Sequence, residues 1–445
     1  MTTLSHVRLW GNPLGTVILQ PGERFAAFRY DADFSRNRIP VAPLMMPLSE
    51  KPYVFPDLAL ESFHGLPGLL SNSLPDKFGT TVTNAWLMQN GYAPDAVNAV
   101  ERLRWLGNRG MGALEFFPST KEPRPEPRWV DRILQVETLV RFSNAILAWR
   151  PPPVSQKPGD PSMEADILDA DAMADMLRVC TSAGGARAKA IIAWNPKTHE
   201  IRSGPAPVEQ GFEDWLIKFD GITQNRDKET ADAKGYGVVE FAYYRMAIEC
   251  GIFMSECRLL EEGGRRHFMT RRFDRLAGGE KLHLQSLAAL AHLDFNRAGV
   301  YRYEDVFDIL DRLEAPRSDA VQLFRRIVFN IIARNQDDHV KNMAFLMDRS
   351  GNWSLSPAYD LTFAYHPGGN WTDRHQMTLS GKRDRFTLED LVVCGKRAGL
   401  NRETSKKIVA EIRQVVAGWP GYAEDLCVFP HQRDRIQKGL RLDIC

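Results

Sequence analysis

Residues 335–360 constrain the fold more than any other part of this 445-residue chain. The segment reads Asn335-Gln-Asp337-Asp338-His339-Val-Lys341-Asn342, then Phe345-Leu-Met347, Asp348-Arg-Ser-Gly351-Asn352, Trp353-Ser-Leu355 and Pro357-Ala-Tyr359-Asp360. Two short apolar runs separated by a Gly/Asn turn predict a β-hairpin. A hairpin folds the chain back, so it would return Asp360 to the neighbourhood of Asn342. Without it, those two side chains could lie anywhere. Upstream, Val321, Phe324, Ile327, Val328, Ile331 and Ile332 recur at helical spacing from Ser318 onward. That pattern predicts a helix delivering the chain directly to Asn335-Gln-Asp337.

An Asp, an Asn five residues on, and a second Asp beyond a hairpin suit phosphoryl transfer. The first carboxylate accepts the proton of an attacking hydroxyl, while the Asn and second Asp hold Mg²⁺ against nucleotide phosphates. Acidic loops beside turns are also ordinary surface, so the spacing needs context. Thr181-Ser182-Ala-Gly184-Gly185-Ala186-Arg187-Ala188-Lys189 precedes a β run, Ala190–Trp194. Small residues there let backbone N–H groups cradle phosphates, although two glycines also suit a plain tight turn. Trp215-Leu-Ile-Lys218-Phe219 reads as a strand with one lysine among apolar residues. That lysine either meets phosphate or snorkels from an edge strand. Glu240 opens an amphipathic helix, Val238–Gly251, and is placed to pair with Lys218, though an acid there also favours the helix dipole. A strand, Gly263-Gly264 turn and strand follow over Glu256–Arg271. Leu282–Leu287 then reads as the handover between lobes, where backbone groups usually contact an adenine.

The remaining chain predicts a strand-rich region from residue 6 to about 118, with a helix from about Pro75 to Asn90 and a break at Gly107-Asn-Arg-Gly-Met-Gly112. Two Pro-rich segments, Ser119–Pro127 and Arg150–Pro161, flank a helix at Val130–Trp149. The expected divisions are 1–120, an N-terminal subdomain; 121–164, linkers and helix; 165–287, a nucleotide-binding small lobe; and 288–445, a helical catalytic lobe. A formal net charge of +1 offers no strong field for nucleic acid or an anionic membrane. The six scattered cysteines show no C-x-x-C pair, which points to reduced thiols and a cytoplasmic location over a disulfide frame or zinc site. No apolar run approaches the length of a membrane span.

On Ser73-Leu-Pro-Asp76-Lys, Gly107–Gly112, Ser182–Lys189, Ile217-Lys218-Phe219, Glu240, Asp337-x-His339-x-Lys341-Asn342 and Tyr359-Asp360, the chain resembles the HipA family of bacterial serine/threonine kinase toxins over essentially its full length. The resemblance implies an α+β, two-lobed protein-kinase-like fold with an additional N-terminal mixed α/β subdomain. It implies Asp337 as general base and Asn342 and Asp360 as Mg²⁺ ligands. ATP would be bound by Gly184, Gly185, Ala186, Arg187, Ala188, Lys189, Lys218, Gln285, Leu287, His339, Lys341, Asn342 and Tyr359, with Glu240 holding Lys218. Ser182 aligns with a serine that family kinases phosphorylate on themselves, and a dianion in that loop would repel ATP. Partners implied are a protein substrate (an aminoacyl-tRNA synthetase or another translation factor) and a HipB-like DNA-binding antitoxin, with DNA reached only through the antitoxin. Two departures stand out. Asp338 occupies a position that is often Gly, expected to add negative charge near the transferring phosphate, and Gln285-Ser286-Leu287 is not acidic. A kinase-fold co-repressor that binds an antitoxin, or a small-molecule kinase, are the competing readings.

Overall fold

In Thr3–Leu9 (β1) alternate residues Thr3, Ser5, Val7 and Leu9 are buried while His6 and Arg8 face solvent, the period of a strand covered on one face. β1 pairs antiparallel with Asn12–Leu19 (β2), which pairs with Ala27–Tyr30 (β3), and on its other side with Leu114–Pro118 (β4). The computed structural model describes residues 2–36, 39–118, 133–148, 170–180, 187–203, 211–222 and 234–444. Ser182, Gly184, Gly185 and Ala186 lie outside these, as do both Pro-rich segments.

A second antiparallel sheet has the order β6-β5-β7-β9-β8, formed by Lys189–Trp194 (β5), Ile201–Ser203 (β6), Glu213–Lys218 (β7), Cys257–Glu262 (β8) and Arg265–Arg271 (β9). β5 is buried along its whole length, so it reads as a continuous apolar run and not an alternating one. The helix Tyr236–Glu249 packs on β8 and β9 and buries Val238, Val239, Ala242, Tyr243 and Met246. Gly237 permits this, because a Cβ there would lie 2.7 Å from the Arg266 carbonyl oxygen.

His283–Ser286 (β10), Ala344–Met347 (β11) and Trp353–Leu355 (β12) make a third sheet, with β11 and β12 forming the expected hairpin (Phe345 opposite Leu355). The helix Arg317–Ile332 buries Leu323, Phe324, Ile327, Val328 and Ile331. Arg334 follows with φ 57°, a left-handed turn that ends the helix and starts the loop at Asn335.

The N-terminal sheet is not a separate globule. Val7, Val17 and Phe28 belong to the same apolar core as Val239, Tyr243, Leu287, Phe324 and Ile327. A second core joins Phe78 and Val82 of the helix Lys77–Gln89 to Met173, Met176, Ile192 and Trp215. N-terminal residues therefore reach the cleft between the two later sheets. Among the described residues no helix is long and apolar enough to cross a membrane, and Cys180, Cys250, Cys257, Cys394 and Cys427 are free thiols.

Candidate functional site

Register sets the charge on one side of the cleft. In the β5–β7 ladder Lys189 stands directly opposite Lys218. Directly opposed residues share a sheet face, and like charges there repel. Lys189 and Lys218 both line the cleft, and Lys341 joins them from the loop. Each of the first two is balanced by carboxylates from distant segments. Lys218 Nζ lies 2.5 Å from Glu240 Oε1 and also donates to Asp360 Oδ1, and Lys189 Nζ is 3.6 Å from Asp76 Oδ2. Arg187 stacks over the Tyr236 ring at 3.5 Å and approaches Glu240 Oε2 at 3.6 Å. Ala188 is buried, its carbonyl accepting from Phe219 N–H.

These pairs shape the protonation states. Burial alone would raise Asp360, but Lys218 and Lys189 hold its carboxyl well below the usual carboxylate range. Burial would lower Lys218, yet Asp360 and Glu240 raise it further above its ordinary value. Asp76 goes the other way: burial pushes it up to about 6, against the opposing pull of Lys189. Burial likewise lowers Lys341, whose ammonium sits 4.3 Å from the centre of the Phe295 ring.

On the other side of the cleft, the hairpin does what its pattern predicted. Tyr359 Oη donates to the Lys341 carbonyl at 2.6 Å, and Asn335 Nδ2 reaches the Asp360 carbonyl at 3.4 Å. Asp360 has φ 53°, a left-handed conformation that Asp tolerates better than most residues. Asn342 Nδ2 donates to the Asp337 carbonyl at 2.7 Å, leaving Oδ1 as the amide atom a cation would use. Asp337 receives the Trp371 indole N–H at 2.6 Å and has His339 Nε2 3.8 Å away. His339 packs against the rings of Phe295 and Trp371 and does not line the cavity.

Asp338 is a correction. It does not add charge to the phosphate site: its carboxylate is buried and accepts from Tyr303 Oη at 2.6 Å and Gln376 N–H at 2.7 Å, with His375 Nδ1 at 2.7 Å. Burial would raise it, but these partners, His375 first, hold it low. It works inside the large lobe as an anchor.

The expected handover at Leu282–Leu287 is also corrected. In β10, alternation turns Leu284 and Ser286 to the cavity, while Gln285 points away and donates to the Val41 carbonyl at 2.6 Å. Leu287 is fully buried and its N–H is bonded to the Met343 carbonyl. The segment Arg271-Arg272-Phe273, at the end of β9, also lines the cavity. A buried cluster locks it. Asp274 accepts from Arg272, Arg275 and the Gly112 N–H at 2.6–2.9 Å, and both arginines also donate to the Gly110 carbonyl. Gly112 is required there, since at φ 76° a Cβ would lie 2.8 Å from Leu284 N. Burial opposes ionisation of Asp274, but the arginine pair holds it far below normal.

Leu216, Met254, Phe268, Phe273, Leu284 and Tyr359 give the cavity apolar walls beside Lys189, Lys218 and Lys341. A flat aromatic base and a polyanionic tail match that division. Among the described residues no three His, Cys, Asp or Glu side chains cluster as a metal cage. One carboxylate and one amide oxygen still suit Mg²⁺, which takes much of its coordination from phosphates and water. Asp76, Arg271-Arg272-Phe273 and Trp371 went unassigned in the sequence. Only Asp76, in Ser73-Leu-Pro-Asp76, carried a signal: its side chain caps the helix Lys77–Gln89 through the Gly79 N–H.

Comparison with known proteins gives the family and the fold. Over 161 residues the chain is 28% identical to "Putative kinase Y4mE" of Sinorhizobium fredii, covering 34% of this chain and 35% of that protein. It is 24% identical over 204 residues to a Haemophilus influenzae protein of similar description, covering 39% and 60%. The chain thus matches only part of the length of these relatives. The HipA chain in a Shewanella oneidensis toxin–antitoxin complex of HipA, HipB and operator DNA superposes with a TM-score of 0.62 at 18% identity, over 98% of this chain and 96% of that one. The shared fold is two-lobed, kinase-like and α+β. The HipA N-terminal domain matches residues 5–117 and the HipA-like C-terminal domain matches 181–419, and the chain therefore belongs to the HipA family.

Proposed function

We propose that the chain is an ATP- and Mg²⁺-dependent kinase that phosphorylates serine or threonine on a protein and is restrained by a HipB-like antitoxin. The observation that carries this reading is the cross-strand pair Lys189–Lys218 facing Asp360 across the cleft. Two opposed ammonium groups held on one sheet face by carboxylates from separate segments can exchange part of that pairing for a bound anion. A nucleotide's phosphates are such an anion, and the apolar walls next to them suit its base. Bound Mg·ATP would supply the transferable phosphoryl group and the cation that neutralises its charge.

The chain's own residues divide the remaining work. Glu240 orients Lys218, and Lys189 from the sheet and Lys341 from the loop add positive charge to the cavity. Asn342 and Asp360 would hold the cation. Asn342 also ties the loop's backbone at Asp337, which fixes the base's main chain to the proposed metal ligand. Asp337 accepts the proton from the acceptor hydroxyl, and its side chain is 41% exposed, open to an incoming substrate.

Silencing through Ser182 belongs to the same proposal, because a phosphate in a nucleotide loop would compete with those of ATP. A small DNA-binding antitoxin is proposed as the partner on the strength of the family and of the Shewanella complex. DNA would be reached only through it.

The test is transfer of labelled γ-phosphate from Mg·ATP by wild type and Asp337→Asn, with label mapped by peptide mass. Label on Ser182 or on lysate proteins that disappears in the variant supports the reading. Unphosphorylated protein that binds ATP but transfers nothing would overturn it.

A further inference from the structure

We infer that Trp371 is a positioning residue for the general base: its indole N–H holds one oxygen of the Asp337 carboxylate so that the other faces the acceptor hydroxyl. The inference rests on the kinase reading above and adds the element that aims its base.

The contact belongs to a larger clamp. Three consecutive loop residues are each bonded to the segment 371–376. Gln336 Nε2 donates to the Thr372 carbonyl at 3.2 Å. Asp337 Oδ1 accepts from Trp371 Nε1 at 2.6 Å. Asp338 accepts the Gln376 N–H at 2.7 Å and faces His375 Nδ1 at 2.7 Å. Gln376 closes the arrangement, its Nε2 donating to the Trp371 carbonyl at 2.5 Å and to the Gln336 carbonyl at 3.4 Å. The position of the indole is therefore set by the same strand of chain that anchors the residue next to the base.

Exposure separates the two carboxylates. Asp338 is 1% exposed and bonded through both oxygens. Asp337 is 41% exposed, and its Oδ1 carries the indole bond. A carboxylate on a single exposed rotor could present either oxygen in many directions. One hydrogen bond from a packed ring removes that freedom and leaves Oδ2 for the substrate proton. Trp371 is held in turn by ring contact with His339 (centroids 6.3 Å apart). Hydrogen bonds to a charged group are the strong ones, and orientation of a base counts in the transition state and not in nucleotide binding.

The experiment measures steady-state phosphotransfer from Mg·ATP by wild type, Trp371→Phe, Asp337→Asn and the double variant. Trp371→Phe should lower kcat about 10- to 100-fold while the KM for ATP stays within about twofold. The double variant should be no slower than Asp337→Asn alone, because both changes remove one function. A kcat equal to wild type, a KM for ATP that rises as kcat falls, or losses that multiply in the double variant would each overturn the inference. If Trp371→Phe folds poorly, β-(3-benzothienyl)alanine at 371 exchanges the N–H for sulfur in a ring of similar shape and should give the same loss. Should wild type itself transfer no phosphate, the kinase reading falls and this inference falls with it. An active wild type with an equally active Trp371→Phe removes the inference alone.

Discussion

The two walls of the cleft hold their charges by different means. The sheet wall carries Lys189 and Lys218, balanced by Asp76, Glu240 and Asp360 from three separate parts of the chain. The loop wall carries Asp337, with Asp338 buried behind it, and there the segment 371–376 binds residues 336–338 one after another. Ion pairs between groups on different elements tolerate exchange, since a phosphate or a cation can replace either partner. A dense set of directional hydrogen bonds does not. The contrast teaches that this site separates a wall built to accept new charges from a wall built to keep one geometry.

The largest effect should come from the exposed member of the acidic pair. Asp337→Asn should lower phosphotransfer about 10²- to 10⁴-fold, with the denaturant midpoint close to wild type. Asp338→Ala should reverse the pattern. Leaving Tyr303, His375 and the Gln376 N–H without their buried acceptor should cost about 3–5 kcal/mol of stability, read by urea unfolding. Equal midpoints for the two variants would break the comparison of the walls. On the sheet wall, Glu240→Gln weakens the hold on Lys218 and should reduce kcat/KM for ATP about tenfold. No change there would show that Asp360 alone orients the lysine.

The smallest effect per residue is set by pH. His267 accepts the Asp220 N–H, His292 accepts the Gly68 N–H, and His283 Nε2 faces the Gln285 amide. Burial lowers them to about 4, 4 and 3 respectively. Their folded values lie below the unfolded one near 6.5, so the unfolded chain binds more protons and stability falls as pH drops from 6.5 towards 4. Between pH 7 and 5.5 each should remove about 1 kcal/mol. Asp76 works against this: raised to about 6, it binds its proton in the folded chain first, which favours folding as pH falls from about 6 towards 4. Asp76→Asn should therefore steepen the acid loss measured by unfolding across that interval.

Much of this was legible in the residues. The hairpin turn Asp348–Asn352, the single lysine of β7 and the amphipathic run into Asn335 each follow from local pattern, because period and turn chemistry act over a few residues. Even where β10 was placed in the wrong role, its alternation was readable: Gln285 and Leu284 had to face opposite ways. What the pattern did not contain was which neighbour β10 would pair with. It joins β11 of the large lobe, with Leu284 and Ser286, not Gln285, facing the cavity.

The sequence by itself determined the order of elements, the spacing of Asp337, Asn342 and Asp360, and the presence of lysines on the strands before them. Tertiary structure decided which of two successive aspartates is open and which is buried, that an N-terminal Asp76 meets Lys189, and that an indole 34 residues downstream touches the base. The physical reason is range. Helix and strand periods are set by neighbours in the chain, whereas burial and pairing depend on which distant segment arrives. The two packed cores, one joining the N-terminal sheet to the large lobe and one joining the helix after Asp76 to the strand that carries Lys189, bring those segments together.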